Sequence, residues 1–409
     1  MRDTELYQQV LGLVKPWSVE RVELDLSRKH VDVWIDHPVG VQWVCPQCQR
    51  PLACYDHAEE RAWRHLDTCQ FETYLRARIP RVECPEHGVL NVSVPWAEAR
   101  SRFTLLMERM IIDVLRACAT VKGTCELLRI SWDEAFGVME RAVARGQARK
   151  QDLPMKHLGV DEKAFRKGHS YVTVVCDLER STVEHVAEGR KAESLASYYQ
   201  GLSPEQLAAI EGVAMDMWEP YVKATMEAVP LAADKIVFDR FHIMQHMNEA
   251  VDQVRREEHR ELLANGCELL KGTKHWWLYA YKNVPDKHLR AFEAVRDQNL
   301  KTSRAWAIKE TLRGLWEYRS VAWARKFIKG WLGWADRSKL EPVKQVAAMV
   351  RNHLDNILTY CRHQITNGVA EGLNSKIMSI KRKACGYRNK ENFKTTIYFF
   401  CGGLDLYPR

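Results

Sequence analysis

The pattern of apolar residues predicts an α+β chain of several domains. In order they are a small β domain, a helical pair, and a mixed-sheet core interrupted by an all-helical insertion. Three observations carry this. The apolar period shifts from strand-like to helical near Phe103 and back to strand-like near His157. Between His157 and Asp239 two hairpins are followed by two alternations of helix and strand, which gives a mixed sheet. From Met244 to about His363 only helical periodicity remains. With 409 residues, 46% of them hydrophobic, the chain is long enough for two or three packed domains, and global disorder is excluded.

The first domain is expected over 1–100. VERVELDLS and HVDVWIDHP alternate apolar and polar residues as a half-buried hairpin does. Two turn-rich pairs follow strands, Cys45-Pro-Gln-Cys48 and Cys84-Pro-Glu-His87. Each has the spacing of a zinc knuckle, and together they supply the four N/S ligands of a closed tetrahedral site. One structural Zn²⁺ is expected there, because a small strand-and-turn unit has little core of its own. Cys54, His57, His65 and Cys69 lie in the 35-residue gap and compete as ligands. The twelve cysteines otherwise form no framework, and the start MRDTELYQQV has no apolar signal core. No apolar run reaches the ~20 residues that span a bilayer. The expected setting is a reducing cytoplasm, with no membrane partner.

The segment 101–152 reads as helices with a short turn at Arg129–Ser131. Ser131 and Glu134 form a capping-box pattern. Lys122, Arg129, Arg141 and Arg145 lie on it, with Arg149 just beyond. The bland reading is a helical hairpin linking two domains. Its place between a zinc ribbon and a nuclease-like sheet favours a helix-turn-helix that enters the major groove.

The core is expected in two parts, 153–243 and 365–409. Strands are read at 157–165, 170–177, 183–188, 211–216 and 234–239, with helices at 191–201 and 219–229. This is the strand order of a ribonuclease H-like fold. The helical insertion spans 244–364. It holds half of the fourteen tryptophans. Trp306, Trp316, Trp323, Trp331 and Trp334 read mainly as packing, with one or two left as candidates to stack on an unpaired base.

Three carboxylates, Asp161, Asp216 and Glu371, stand in LGVDEKAFRKG, GVAMDMWEP and NGVAEGLNSKI. Hard divalent cations prefer a few carboxylates plus water and phosphate. Two such ions can cut or join phosphodiesters without a covalent enzyme intermediate. Mg²⁺ (or Mn²⁺), two per site, is the expected cofactor. Glu162 competes with Asp161, but alternation sends it to the other face. Asp239, at the end of the fifth strand, competes with Asp216. In this strand order it lies about 10 Å from Asp161 against about 5 Å for Asp216, which favours Asp216. Asp239 and His242 are then expected as a supporting hydrogen-bonded pair, and Asp177 as a solvated turn acid. Glu371, Asn374, Ser375 and Met378 step along one helix face. Lys376, Lys381, Arg382, Lys383 and Arg388 follow, and would place DNA phosphate beside the metals. The alternative for that basic run is a solvated face.

Taken together, GVDEKAFRKGHSYVTVVCDL, VAMDMWEPY, IVFDRFHIMQH and NGVAEGLNSKIMSIKRKACGYRN, behind a zinc ribbon and a helix-turn-helix, resemble the transposases of the bacterial ISL-three insertion-sequence family. The resemblance covers nearly the whole chain. It implies an Asp-Asp-Glu triad at Asp161, Asp216 and Glu371, and an Asp-x-x-His signature at Asp239 and His242. The function it implies is binding of terminal inverted repeats, metal-dependent strand cleavage and strand transfer to target DNA. A homodimer or larger assembly on double-stranded DNA is expected, since two ends must be joined and each chain has one triad. A non-catalytic DNA-binding regulator and a structure-specific nuclease of the same fold are the alternatives.

Overall fold

The computed structural model describes residues 2–151, 153–166 and 170–409; Asp152, at the expected domain boundary, lies outside them. The chain divides into two compact units, one of Met1–Gln151 with Ile380–Arg409, the other of Asp152–Ser379. Among the described residues no helix is long and apolar enough to cross a membrane.

The first unit begins with a helix that the sequence pattern did not reveal, α1 (Asp3–Val10). It is followed by β1 (Ser18–Asp25), β2 (His30–Asp36), a small ribbon of β3 (Gln42–Val44) and β4 (Pro51–Ala53), and then β5 (Asp56–Arg64), β6 (Glu72–Cys84) and β7 (Gly88–Asn91). The main sheet runs β1-β2-β6-β5, with β7 also on β6. The expected alternation holds in β2, where Val31, Val33 and Ile35 point into the core with Trp17, Trp63 and Leu75.

Three helices follow, α2 (Leu105–Cys118), α3 (Val121–Leu128) and α4 (Trp132–Ala148). Each starts where a hydroxyl caps a free backbone N–H: Thr104, Thr120 and Ser131. The capping box is present, with Glu134 Oε2 accepting from Ser131 N at 2.9 Å. The chain's end packs here too. The apolar face of the last helix, α17 (Lys390–Cys401), meets α4, where Phe399 and Leu406 join Phe136 and Met139 in one core. Gly146 permits this approach, since a Cβ there would lie 2.6 Å from Leu404 Cβ. The expected second core piece, 365–409, therefore divides. Its first part lies with the sheet, whereas Ile380–Arg409 belongs to the helix-turn-helix unit.

The second unit is built on a five-stranded sheet in the order β10-β9-β8-β11-β12. Its strands are β8 (His157–Arg166), β9 (Ser170–Asp177), β10 (Thr182–Glu188), β11 (Gly212–Met215) and β12 (Ile236–Phe238). The first three are antiparallel, and β11 and β12 run parallel to β8. This is the order expected from the sequence. Helices α5 (Ala192–Tyr199), α6 (Pro204–Ala209) and α7 (Glu219–Ala228) connect the strands. The insertion comprises α8 (Arg240–Ala264), α9 (Lys274–Leu278), α10 (Asp286–Arg296), α11 (Lys301–Arg313), α12 (Val321–Arg337), α13 (Glu341–Asn352), α14 (Leu354–Leu358) and α15 (Tyr360–His363). Sheet and insertion share one apolar core. Trp277, Trp306 and Trp331 are buried in it, whereas Trp323 and Trp334 are exposed. Helix α16 (Gly368–Lys383) carries Glu371.

Candidate active site and zinc-ligand cluster

Register brings the acids together. Ala214 of β11 lies beside Gly159 of β8, and two residues further on Asp216 comes alongside Asp161. Met215 lies beside Phe238, so one residue further Asp216 comes alongside Asp239. Three aspartates thus share one level across three neighbouring parallel strands. Steps of about 4.8 Å separate them.

Two glycines let α16 reach this row. A Cβ on Gly159 would lie 2.9 Å from Asn367 Oδ1, and one on Gly212 would lie 2.8 Å from Ile365 Cδ1. The segment leading into α16 therefore lies directly on the strands. The helix buries Ala370, Leu373, Asn374 and Ile377, while Ser375 faces solvent. Of the expected stripe, Asn374 is buried, Glu371 and Met378 are half-buried, and Ser375 is exposed.

Asp161 is held on both oxygens. Its Oδ1 accepts from Glu162 N at 2.7 Å and its Oδ2 from Asn374 Nδ2, with Lys163 Nζ at 3.8 Å. Burial pushes its carboxyl above the usual range, against the pull of Lys163. Asp216 is more open, with its side chain 39% exposed. Its Oδ1 accepts from Met217 N at 2.7 Å, and His242 Nδ1 stands 3.7 Å from its Oδ2. Asp239 is 4% exposed. Its Oδ1 caps α8 through Phe241 N at 3.2 Å, and its Oδ2 is buried with no donor. The Glu371 carboxyl meets Asp239 and is raised, first by burial and then by that neighbour. Two carboxylates hydrogen-bond to each other only when one is protonated. The site is therefore short of positive charge and rich in hard oxygen donors, which suits Mg²⁺ or Mn²⁺.

Two expectations change here. His242 leans on Asp216 instead of pairing with Asp239, whose carboxyl neighbours Glu371. Asp177 is buried, not solvated; its Oδ1 accepts from Glu179 N and Arg180 N at 2.8 and 3.0 Å. Glu162, expected on the other face, stands beside Arg190 at 3.7 Å, and its carboxyl is raised first by burial and then by the neighbouring Asp161 charge. The role of Asn374 had one trace in the sequence, its three-residue step from Glu371.

The cations of the helix-turn-helix are partly committed elsewhere. Arg141 and Arg145 both bind Glu108, which is almost wholly buried. Arg145 is 9% exposed and also holds Glu98. A buried carboxylate needs such partners, so both arginines are structural. Arg129 is tied to Asp67, and Arg149 Nη1 donates to Tyr407 O at 2.7 Å. Lys122 is exposed, with Glu126 at 3.8 Å. Lys376, Arg382, Lys383 and Arg388 are exposed, and Lys381 is partly buried.

Cys45, Cys48, Cys84 and His87 have their ligand atoms within 4.8 Å of one another. Cys48 Sγ lies 3.7 Å from Cys84 Sγ, and His87 Nδ1 lies 3.4 Å from Cys84 Sγ and 3.9 Å from Cys45 Sγ. Zn–S and Zn–N bonds of about 2.3 and 2.0–2.1 Å give tetrahedral edges of about 3.8 and 3.6 Å, which these spacings match. The Glu86 backbone N–H, with help from His87, brings the Cys84 thiol down to about 6, poising it as a thiolate. The competitors in the gap stand apart. His65 is buried against Thr104 at 2.8 Å, its basicity lowered to about 4 by burial. His57 faces His37 at 3.0 Å.

Comparison with known proteins agrees with this organisation. Residues 158–397 match a family model described as transposase, of the ISL3 group. Residues 42–87 match the zinc-finger of transposase IS204/IS1001/IS1096/IS1165, and 92–143 the helix-turn-helix domain of transposase family ISL3. The chain is 25% identical over 420 residues to the transposase for insertion sequence element IS1557 of Mycobacterium tuberculosis, covering 96% of this chain and 94% of that one. It is 26% identical over 399 residues to the transposase for insertion sequence element IS1001 of Bordetella parapertussis, covering 96% and 97%.

Proposed function

The chain belongs to the ISL3 family of transposases, and from that premise we propose that it cuts and rejoins DNA at one acidic centre. Asp161, Asp216 and Glu371 would hold two Mg²⁺ or Mn²⁺ ions. The observation that carries this is the in-register row of aspartates with Glu371 brought over it by α16.

Bound there, the two ions would activate the attacking hydroxyl and neutralise charge on the leaving oxygen. The chain's own residues do the positioning. Asn374 and the Glu162 N–H lock the Asp161 carboxylate in one orientation. Asp216, the most exposed of the aspartates, faces the side from which DNA can approach. His242 steadies it. Asp239 stands behind Glu371 and sets its direction. The attacking hydroxyl is first that of water and then a DNA 3′ end, in line with the leaving oxygen. Domains 1–100 and 101–152, with Lys122 and the α16 cations, bind terminal repeats and target. One Zn²⁺ at Cys45, Cys48, Cys84 and His87 would hold the first domain's turns. Two chains would hold the two ends.

The test is cleavage, with Mg²⁺, of a duplex carrying the inverted repeats that flank the coding region. Asp161→Asn, Asp216→Asn and Glu371→Gln should bind it but not cut it. Cutting by Asp216→Asn together with loss in Asp239→Asn would move the second metal ligand to Asp239. A strand-transfer assay separates a transposase from a nuclease that only hydrolyses.

A further inference from the structure

A cavity of about 780 Å³ opens beside the acidic centre, within the second unit. Arg240, Phe241, Tyr281, Lys282, Arg313 and Trp316 line it. Arg240 and Phe241 are the first two residues of α8, lying between Asp239 and His242. The Phe241 ring sets its edge against His242, with centroids 5.6 Å apart at 88°, and His242 in turn stands 3.7 Å from Asp216. The cavity thus begins one side chain away from the reacting centre.

Its lining is unusual for a surface that binds nothing. Phe241 is 54% exposed at the start of a long helix. Arg240 and Lys282 make no ion pair or side-chain hydrogen bond among the described residues. The Trp316 indole N–H is buried without an acceptor among the described residues. Such a donor normally finds a partner. Of the two carboxylates at the cavity, Glu310 is already engaged by Arg313 Nε at 2.8 Å and Tyr281 N at 2.9 Å. What remains is an aromatic face, an unused donor, two cations and the exposed Glu317 carboxylate, which leaves a net positive charge. That set fits a ligand with a flat ring, acceptor atoms and negative charge. The volume falls in the range of about 300–1,000 Å³ that encloses one small ligand.

We propose that this cavity takes one unpaired nucleotide of the DNA end next to the phosphate being cut. Its base lies against Phe241, its acceptors meet the Trp316 N–H, and its phosphate lies between Arg240 and Lys282. The inference rests on the strand-cutting reading for its ligand, but it is tested separately. Extruding a base spreads the strands beside the scissile bond, and a base already unpaired binds without that cost.

The experiment uses the full-length protein and two duplexes of the flanking-repeat sequence. One is blunt, and the other ends in a single unpaired 2-aminopurine nucleotide. With Ca²⁺ in place of Mg²⁺, the protein should prefer the unpaired end about tenfold, as one base–aromatic stack confers, and should quench its fluorescence. Phe241→Ala should erase both effects without changing affinity for the blunt duplex. Trp316→Phe, which keeps a ring and removes only the N–H, should keep the quenching and lose part of the preference. Equal binding of both duplexes by the unaltered protein, or quenching that survives in Phe241→Ala, overturns the proposal. Cleavage of the same repeats with Mg²⁺ is scored in parallel. Cleavage with no end preference sinks the cavity's role alone. A preference in a protein that never cuts sinks the cleavage reading and leaves the nucleotide site standing.

Discussion

Replacing Asp239 by Asn should make the metal-free protein more stable. The side chain is buried, its Oδ1 caps α8 through Phe241 N, its Oδ2 has no donor among the described residues, and its carboxyl neighbours that of Glu371. Asn keeps the cap, since Asn and Asp are equivalent there. It also turns an NH₂ toward Glu371. A hydrogen bond to a charged group contributes about 1.5–3 kcal/mol, to be discounted because Glu371 is only partly buried. Loss of a negative charge at the helix N-terminus costs about 0.3–1 kcal/mol. The balance is a gain of about 1 kcal/mol, or roughly 2–4 °C in Tm for a unit of this size. The sign with pH follows from Glu371. Its carboxyl is raised in the folded state, so the destabilisation it causes is full above that raised value. It fades as pH falls through that value toward the unfolded one of about 4.3. Once protonated, Glu371 can itself donate to Asp239. The advantage of Asp239→Asn should therefore be largest near neutral pH and close as the solution is acidified. Mg²⁺ should raise the Tm of the unaltered protein more than that of the variant. The assay is thermal unfolding with EDTA and with Mg²⁺ across this pH range. A metal-free Tm at pH 7 equal to or below that of the unaltered protein would refute the reasoning.

Other outcomes are expected. Asp161→Asn should abolish cleavage of the flanking repeats while repeat binding, read by mobility shift, stays intact. Metal analysis should find one tightly held zinc per chain. Cys84→Ser should lose it and melt the N-terminal β domain, seen as early proteolysis there, because metal affinity at such a site is folding energy. Zinc release should also begin at higher pH in any variant that weakens thiolate formation, since acid protonates the ligands. Neutralising Lys381, Arg382 and Lys383 together should weaken DNA binding and flatten its salt dependence. Each lost phosphate contact should remove about one unit from the log–log slope. An unchanged slope would make this run a solvated face.

Much of the molecule was legible from local pattern. The strands of the sheet, the capping box at Ser131 and the two zinc knuckles follow from period, turn chemistry and spacing, which are properties of short stretches. The sheet order followed as well, because two hairpins followed by two crossovers leave few topologies. That order places Asp161 and Asp216 on neighbouring strands. Glu371 needed more, because 155 residues separate it from Asp216 and only the resemblance of whole motifs linked them.

What required the tertiary structure was the partner of each charged or polar group. Arg141 and Arg145 look like a DNA-binding face on α4, yet a buried Glu108 more than thirty residues away claims both. His242 turns to Asp216 and Asp239 to Glu371, although spacing alone pairs Asp239 with His242. The final stretch, expected to return to the strand domain, forms a helix that packs on α4 instead. Gly146 and Gly159 read as ordinary small residues until the segments that press on them are in view. The physical reason is the same in each case. Backbone periodicity is set by neighbours along the chain, so a sequence determines its elements nearly alone. Burial, desolvation and ion pairing are set by whatever lies across the fold, and only the packed structure decides those.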